Sequence, residues 1–210
     1  MRSRLTVLVL FLSFALYGMD QTDEKLVNQS YEKYTSAILA DNPEEAVKYV
    51  DSRTIAYYKN IADLVKNGDS ATVSALPLID KITVLTIRAK GTKAEIMPLD
   101  GKGLLIYAIK KGMVSKSSMK NNTLGEVTIE ADAAKAALVV KGNATPYFID
   151  FHKEQGTWKV DITSLFAIAT PVLKQMQEGS GQSENDFVTS MLGMAVGKKV
   201  GPEIWQKMNR

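Results

Sequence analysis

Apolar residues recur at helical spacing through the first half of the chain. One such stripe, which we expect to belong to a helix beginning near Thr22, consists of Val27, Tyr31, Tyr34 and Ile38. Capping residues, glycines and a proline then divide the chain into four further predicted helices, over 43–50, 52–67, 76–90 and 104–111. The segment 76–90 also holds a run of β-branched residues typical of a strand. We favour a helix there because its apolar positions keep helical spacing.

The spacing changes to that of β-strands after residue 124. Val127 and Ile129 alternate with polar residues, which is typical of a half-buried strand. Three more strands are predicted over 136–141, 146–154 and 157–163, with glycine-containing turns between them. Because short turns join neighbouring antiparallel strands, the region is predicted to be a four-stranded antiparallel meander.

Two helices are predicted after the sheet, over 165–177 and 184–197, with a glycine- and serine-rich linker between them. The predicted fold class is therefore α+β, with N-terminal helices, an antiparallel sheet and C-terminal helices. We expect residues 19–210 to form one domain, with the sheet at 124–163 and a helical extension at 164–210.

The N-terminus has the composition of a signal peptide. Arg2 and Arg4 precede an apolar run over 5–17, which is shorter than the roughly 20 residues that span a bilayer. We therefore predict that residues 1–18 are removed and that the protein is exported to the periplasm or the cell exterior, without a transmembrane span. The chain has no Cys and one His, which excludes disulfides, thiol chemistry and multi-histidine metal sites.

A two-residue turn at Gln155 and Gly156 would set the register of the last hairpin. The pairs across it would be Glu154–Thr157, Lys153–Trp158, His152–Lys159, Phe151–Val160 and Asp150–Asp161. One side of the hairpin, predicted to face the core, carries Tyr147, Ile149, Phe151, Trp158, Val160 and Ile162. The other side is predicted to bind a ligand and carries Phe148, Asp150, His152, Lys159 and Asp161.

This hairpin, from Tyr147 to Asp161 with its Trp-Lys-Val-Asp ending, resembles the last hairpin of nuclear-transport-factor-2-like domains. The resemblance extends over 22–50 and 124–163. It implies a curved sheet wrapped around helices, often with a pocket between them. Members of that superfamily include isomerases, dehydratases and non-catalytic binding modules, so the resemblance favours a pocket without specifying a reaction.

The residues that could perform chemistry are Asp150, His152 and Asp161. Two carboxylates that face each other beside an imidazole are an arrangement suited to general acid–base catalysis. The alternative is a solvated polar face on which Lys159 neutralises the acids. Neither a metal nor a cofactor is predicted.

A second candidate surface is basic. Five lysines follow Asp100 without an intervening acid, namely Lys102, Lys110, Lys111, Lys116 and Lys120. They could contact an anionic membrane surface, or they could simply be solvated around a polar, mobile loop predicted over 115–123. No aromatic residue interleaves this loop, so nucleic-acid binding is not predicted.

These patterns favour an exported, non-catalytic binding or interaction module with a small-ligand pocket between sheet and helices. Two alternatives stay open: a small-molecule enzyme using the Asp/His cluster, and an accessory protein of the membrane surface. The partner would be an unknown small ligand or protein, and a dimer is one open arrangement.

Overall fold

A computed structural model describes residues 8–114 and 116–209, with side chains from residue 23 onward. The first part of the predicted signal peptide, residues 1–7, lies outside the described residues, and removal of residues 1–18 stays a prediction. Within the described part of the chain, no helix is both long enough and apolar enough to cross a membrane.

Helices occupy both ends of the described chain and flank a single sheet. They are α1 (Leu8–Leu39), α2 (Pro43–Ala46), α3 (Ser52–Asn67), α4 (Ser70–Ser74), α5 (Leu78–Lys90), α6 (Lys93–Ile96), α7 (Gly101–Lys110), α8 (Lys116–Asn121), α9 (Phe166–Ser180) and α10 (Glu184–Val196). Short 3-10 helices lie at Val47–Tyr49, Ile162–Leu165 and Pro202–Trp205.

The sheet is a four-stranded antiparallel meander in the order β1 (Asn122–Glu130), β2 (Ala133–Val140), β3 (Asn143–Glu154) and β4 (Thr157–Asp161). The predicted α+β class is confirmed. All five predicted pairs of the last hairpin are also confirmed. Its turn residues Gln155 and Gly156 both have positive φ, the backbone twist that suits a two-residue hairpin turn.

The helix prediction for 76–90 is confirmed by α5, and the strand alternative is wrong. The loop predicted over 115–123 is wrong, because α8 and the first residues of β1 occupy 116–123. The predicted start near Thr22 is also wrong, since α1 begins at Leu8. No proline interrupts the chain between those two positions, and the one glycine there, Gly18, weakens a helix without ending it.

Two hydrophobic clusters meet at α7. One lies between α1 and the inner face of the sheet and includes Phe151, Trp158 and Leu105. The other lies among the helices and includes Leu104. Because Leu104 and Leu105 point to different sides of the same helix, α7 joins the two clusters, and Tyr58 packs against both.

The inner face of the sheet agrees with the predicted core side except at one end. Ile149, Phe151, Trp158 and Val160 are all buried, but Tyr147 is 41% exposed. The part of β3 that precedes Asp150 has no partner on β4, so Tyr147 lies beyond the region where the sheet is complete.

Candidate functional site

The outer face of the sheet carries an open groove of about 410 Å³. We call it the outer groove, and its lining residues come from three strands: Thr128, Glu130, Ala133, Ala134, Lys135, Phe148, Asp150 and His152. Its volume is within the range typical of small-molecule sites, about 300–1,000 Å³.

Strand register explains why a depression forms there. On the outer face Ala133 lies opposite His152, and Ala137 lies opposite Phe148. Because alanine fills little space, His152 and Phe148 have only a methyl group directly opposite them on β2. The two alanines of β2 therefore leave open space beside His152 and Phe148 on the outer face.

The groove combines an exposed aromatic ring with charges of both signs. Phe148 is 48% exposed, and the ammonium of Lys135 lies 5.8 Å from the centre of its ring. Lys135 is also the cross-strand partner of Asp150, and Glu130 provides a second carboxylate. The groove thus holds two acids and one lysine around an apolar surface.

His152 is tied to the start of α3. Its Nδ1 lies 3.0 Å from Asp51 Oδ2, and its Nε2 lies 2.6 Å from a guanidinium nitrogen of Arg53. A guanidinium only donates, so Nε2 accepts and Nδ1 carries the proton towards Asp51. Both ring nitrogens are engaged, and a role for His152 as a general base would require Arg53 to move away.

Asp51 is fully buried and makes three structural contacts, two through its carboxylate and one through its backbone N–H. Its Oδ1 accepts the backbone N–H of Thr54 at 2.9 Å, which caps α3, while Oδ2 faces His152. Its own N–H donates to the carbonyl of Val160 at 3.0 Å, on the free edge of β4. Asp51 therefore joins the helix, the sheet edge and the imidazole.

Asp161 lies opposite Asp150, as predicted, but its carboxylate does not face the groove. Its Oδ1 accepts from the hydroxyl of Thr54 at 3.3 Å and from the backbone N–H of Thr163 at 2.8 Å. Lys159 also lies outside the groove, with its Nζ 3.4 Å from Glu154 Oε2 rather than beside the two aspartates. Of the five predicted ligand-binding residues, Phe148, Asp150 and His152 line the groove, whereas Lys159 and Asp161 do not.

Three potential metal ligands lie close together within the described residues. Asp51, His152 and Asp161 each offer one ligand atom, and these atoms all lie within 4.8 Å of one another. A cation here would have to replace the hydrogen bond between His152 Nδ1 and Asp51, and would compete with the hydrogen bonds that the carboxylates of Asp51 and Asp161 already accept. The contacts present describe a hydrogen-bonded cross-link between α3 and the sheet.

The sequence analysis missed Asp51 and Arg53 as neighbours of His152. Both lie about a hundred positions away along the chain, and no local periodicity connects segments so far apart. The sequence does offer one signal for Asp51, because an Asp directly before a predicted helix is a preferred capping residue. It marks the helix start but does not say what else the carboxylate contacts.

Three of the five lysines predicted as an anionic-surface site are paired with acids. Lys110 binds Glu44 at 2.6 Å, Lys116 binds Asp41 at 2.5 Å, and Lys111 binds Glu95 at 3.0 Å. The hydrogen bond from Lys110 lowers the pKa of Glu44. Lys102 and Lys120 lie on separate elements, α7 and α8, so the five lysines do not form one unpaired basic patch.

Comparison of the chain with protein-family models, curated proteins and solved structures finds no match. The resemblance to nuclear-transport-factor-2-like domains therefore stays a prediction.

Proposed function

We propose that this protein is an exported, non-catalytic binding module and that the outer groove is its ligand site. The observation that carries the proposal is the half-exposed ring of Phe148 in a groove of about 410 Å³, flanked by charged residues. A groove that combines apolar surface with a few polar groups is typical of a small-molecule site.

The outer face is a better place for the pocket than the inner face. The sequence analysis expected the pocket between sheet and helices, but Phe151, Ile149 and Trp158 fill that space and are almost fully buried. A ligand there would have to displace the core of the protein.

The charges of the groove favour a cationic ligand with a flat apolar part. Glu130 and Asp150 outnumber Lys135, so an ammonium group is attracted more strongly than a carboxylate. An aromatic or planar group would pack on Phe148. We therefore propose a small aromatic amine, or a peptide side chain of that chemistry, as the ligand class.

The proposal is tested with two probes that share a phenyl ring and differ in charge, phenethylamine and 3-phenylpropionate. We expect phenethylamine to bind more tightly in calorimetry. Phe148→Ala should weaken its binding about tenfold or more, as loss of a stacking partner and its buried area does. Tyr147→Ala is the matched control, because Tyr147 is an adjacent exposed aromatic that does not line the groove.

Equal affinity for both probes, or equal weakening by the two substitutions, would overturn the assignment of the groove.

Export rests on the sequence of residues 1–18 alone. It is tested separately by N-terminal sequencing of the exported protein from its host, where an intact Met1 would contradict it.

A further inference from the structure

A second cavity lies between the end of α5 and the segment that follows α10. It has a volume of about 410 Å³, and we call it the C-terminal pocket. Its charged lining residues are Arg88, Lys198, Lys199, Lys207 and Glu203. Four cations against one acid give a formal charge of +3 in a single cavity, in contrast to the mixed charges of the outer groove.

The lysine pair is held at the rim by the end of α10. Gly197 has a φ of 68°, and the N–H of Lys198 donates to the carbonyl of Gly193 at 3.2 Å, which closes the helix with a tight turn. The side-chain ammonium groups of Lys198 and Lys199 make no hydrogen bond or ion pair with another residue in the described part of the chain. Both ammonium groups are therefore available to a ligand.

Arg88 adds a buried positive charge to the wall of the pocket. It is 7% exposed, and carbonyl oxygens rather than a carboxylate satisfy its donors. Four of these bonds reach Leu64, Val65, Gly68 and Ile204, at 2.6–3.1 Å. Because carbonyl groups satisfy the hydrogen bonds without cancelling the charge, the pocket keeps an uncompensated cation in its wall.

The acids near the pocket only partly offset its positive charge. Lys207 also acts on Asp69, whose pKa is lowered by hydrogen bonds from Thr72 and, to a smaller degree, by the charge of Lys207. The carboxylate of Glu203 lies directly against Gly201, where a Cβ would otherwise be, at the start of the last 3-10 helix. That acid is held close to its own backbone rather than in an ion pair with one of the described lysines.

We propose that the C-terminal pocket binds a small soluble molecule that carries a phosphate or diphosphate group. Four cations that line one cavity favour a multivalent anion, and lysines bind phosphate oxygens as point charges. The cavity is larger than a phosphate ion alone, and Val196, Val200 and Ile204 offer apolar surface to the rest of the molecule. This site is separate from the outer groove and does not depend on the function proposed there.

The test uses pyrophosphate as the probe and Lys198→Gln/Lys199→Gln as the variant, measured by isothermal titration calorimetry on the whole protein. We expect the unmodified protein to bind pyrophosphate and the double variant to bind it at least about tenfold more weakly, as expected for loss of charge-assisted hydrogen bonds. The matched control is Lys25→Gln/Lys174→Gln, which removes the same charge from two exposed positions that do not line the pocket.

Circular dichroism establishes that both double variants are folded, and Arg88 is left unchanged because its bonds support the fold. The proposal is overturned if pyrophosphate does not bind, or if the control variant weakens binding as much as the pocket variant. It is also overturned if citrate binds as tightly as pyrophosphate, or if the lysine pair is needed only for binding to vesicles containing phosphatidylglycerol.

Discussion

Replacing Asp51 tests whether the contact with His152 holds α3 against the sheet. Asp51→Ala removes two interactions of a fully buried carboxylate: the cap on the Thr54 N–H and the hydrogen bond to His152 Nδ1. Loss of an N-cap costs about 0.5–2 kcal/mol. Loss of a hydrogen bond to a charged group costs about 1.5–3 kcal/mol. We therefore expect Asp51→Ala to lower the free energy of unfolding by about 2–5 kcal/mol.

Two further variants separate these contributions. Asp51→Asn keeps a good capping residue but loses the charged partner of His152, so it should cost about 1.5–3 kcal/mol. Asp100→Ala removes the cap of α7, where the carboxylate accepts the Gly103 N–H at 2.7 Å and faces no histidine. It should cost only the capping contribution, about 0.5–2 kcal/mol.

The free energies are measured by equilibrium unfolding in urea, followed by the fluorescence of Trp158 and Trp205. If Asp51→Ala costs no more than Asp100→Ala, the bond to His152 adds nothing to stability. The interpretation of this cluster as a cross-link would then be wrong.

Two other predictions concern the inner face of the sheet. Trp158 is 1% exposed, so Trp158→Ala should lower the free energy of unfolding by about 3–5 kcal/mol. Tyr147 is exposed, so Tyr147→Ala should change the free energy of unfolding by less than about 0.5 kcal/mol. Similar urea midpoints for the two variants would contradict the assigned faces. Hydrogen bonds from Lys153 and from the indole of Trp158 lower the pKa of Asp23 in the folded protein. The ionised carboxylate of Asp23 therefore stabilises the fold above the unfolded-state pKa of about 3.9. This stabilisation is lost as the pH falls through the lower folded-state pKa. The stability difference between the protein and Asp23→Asn should therefore shrink below about pH 4 in urea titrations, and a difference independent of pH would refute this role.

Local patterns predicted most of the helices, the four strands and the register of the last hairpin, because these depend on residues close in sequence. Helical spacing and a proline at the start placed α5, and the turn at Gln155 and Gly156 set every pair between β3 and β4. The same alternation failed at Tyr147, because β4 ends opposite Asp150 and the earlier residues of β3 have no partner on that side.

The composition of the candidate site was less predictable because its contacts join distant segments. The register placed Asp150 opposite Asp161 correctly, but it could not show that Thr54 and Thr163 would bind the carboxylate of Asp161. Likewise, the acids that pair with Lys110 and Lys116 come from the turn between α1 and α2 and the start of α2, far from α7 and α8 in sequence. Strand periodicity predicts the face of the sheet on which a side chain lies, but it does not predict which residues from other elements contact that side chain.

The claim that the outer groove is the ligand site is tested most directly by mapping amide chemical shifts during a titration with phenethylamine. We expect the perturbed N–H signals of the ¹⁵N-labelled protein to cluster at Thr128, Glu130, Lys135, Phe148 and Asp150, which line the groove. Signals of Leu105 and Val160, core residues on elements that do not line the groove, should shift less than those of the groove. Saturable shifts centred on the helices or on the C-terminal pocket, or no saturable shifts at all, would contradict the account.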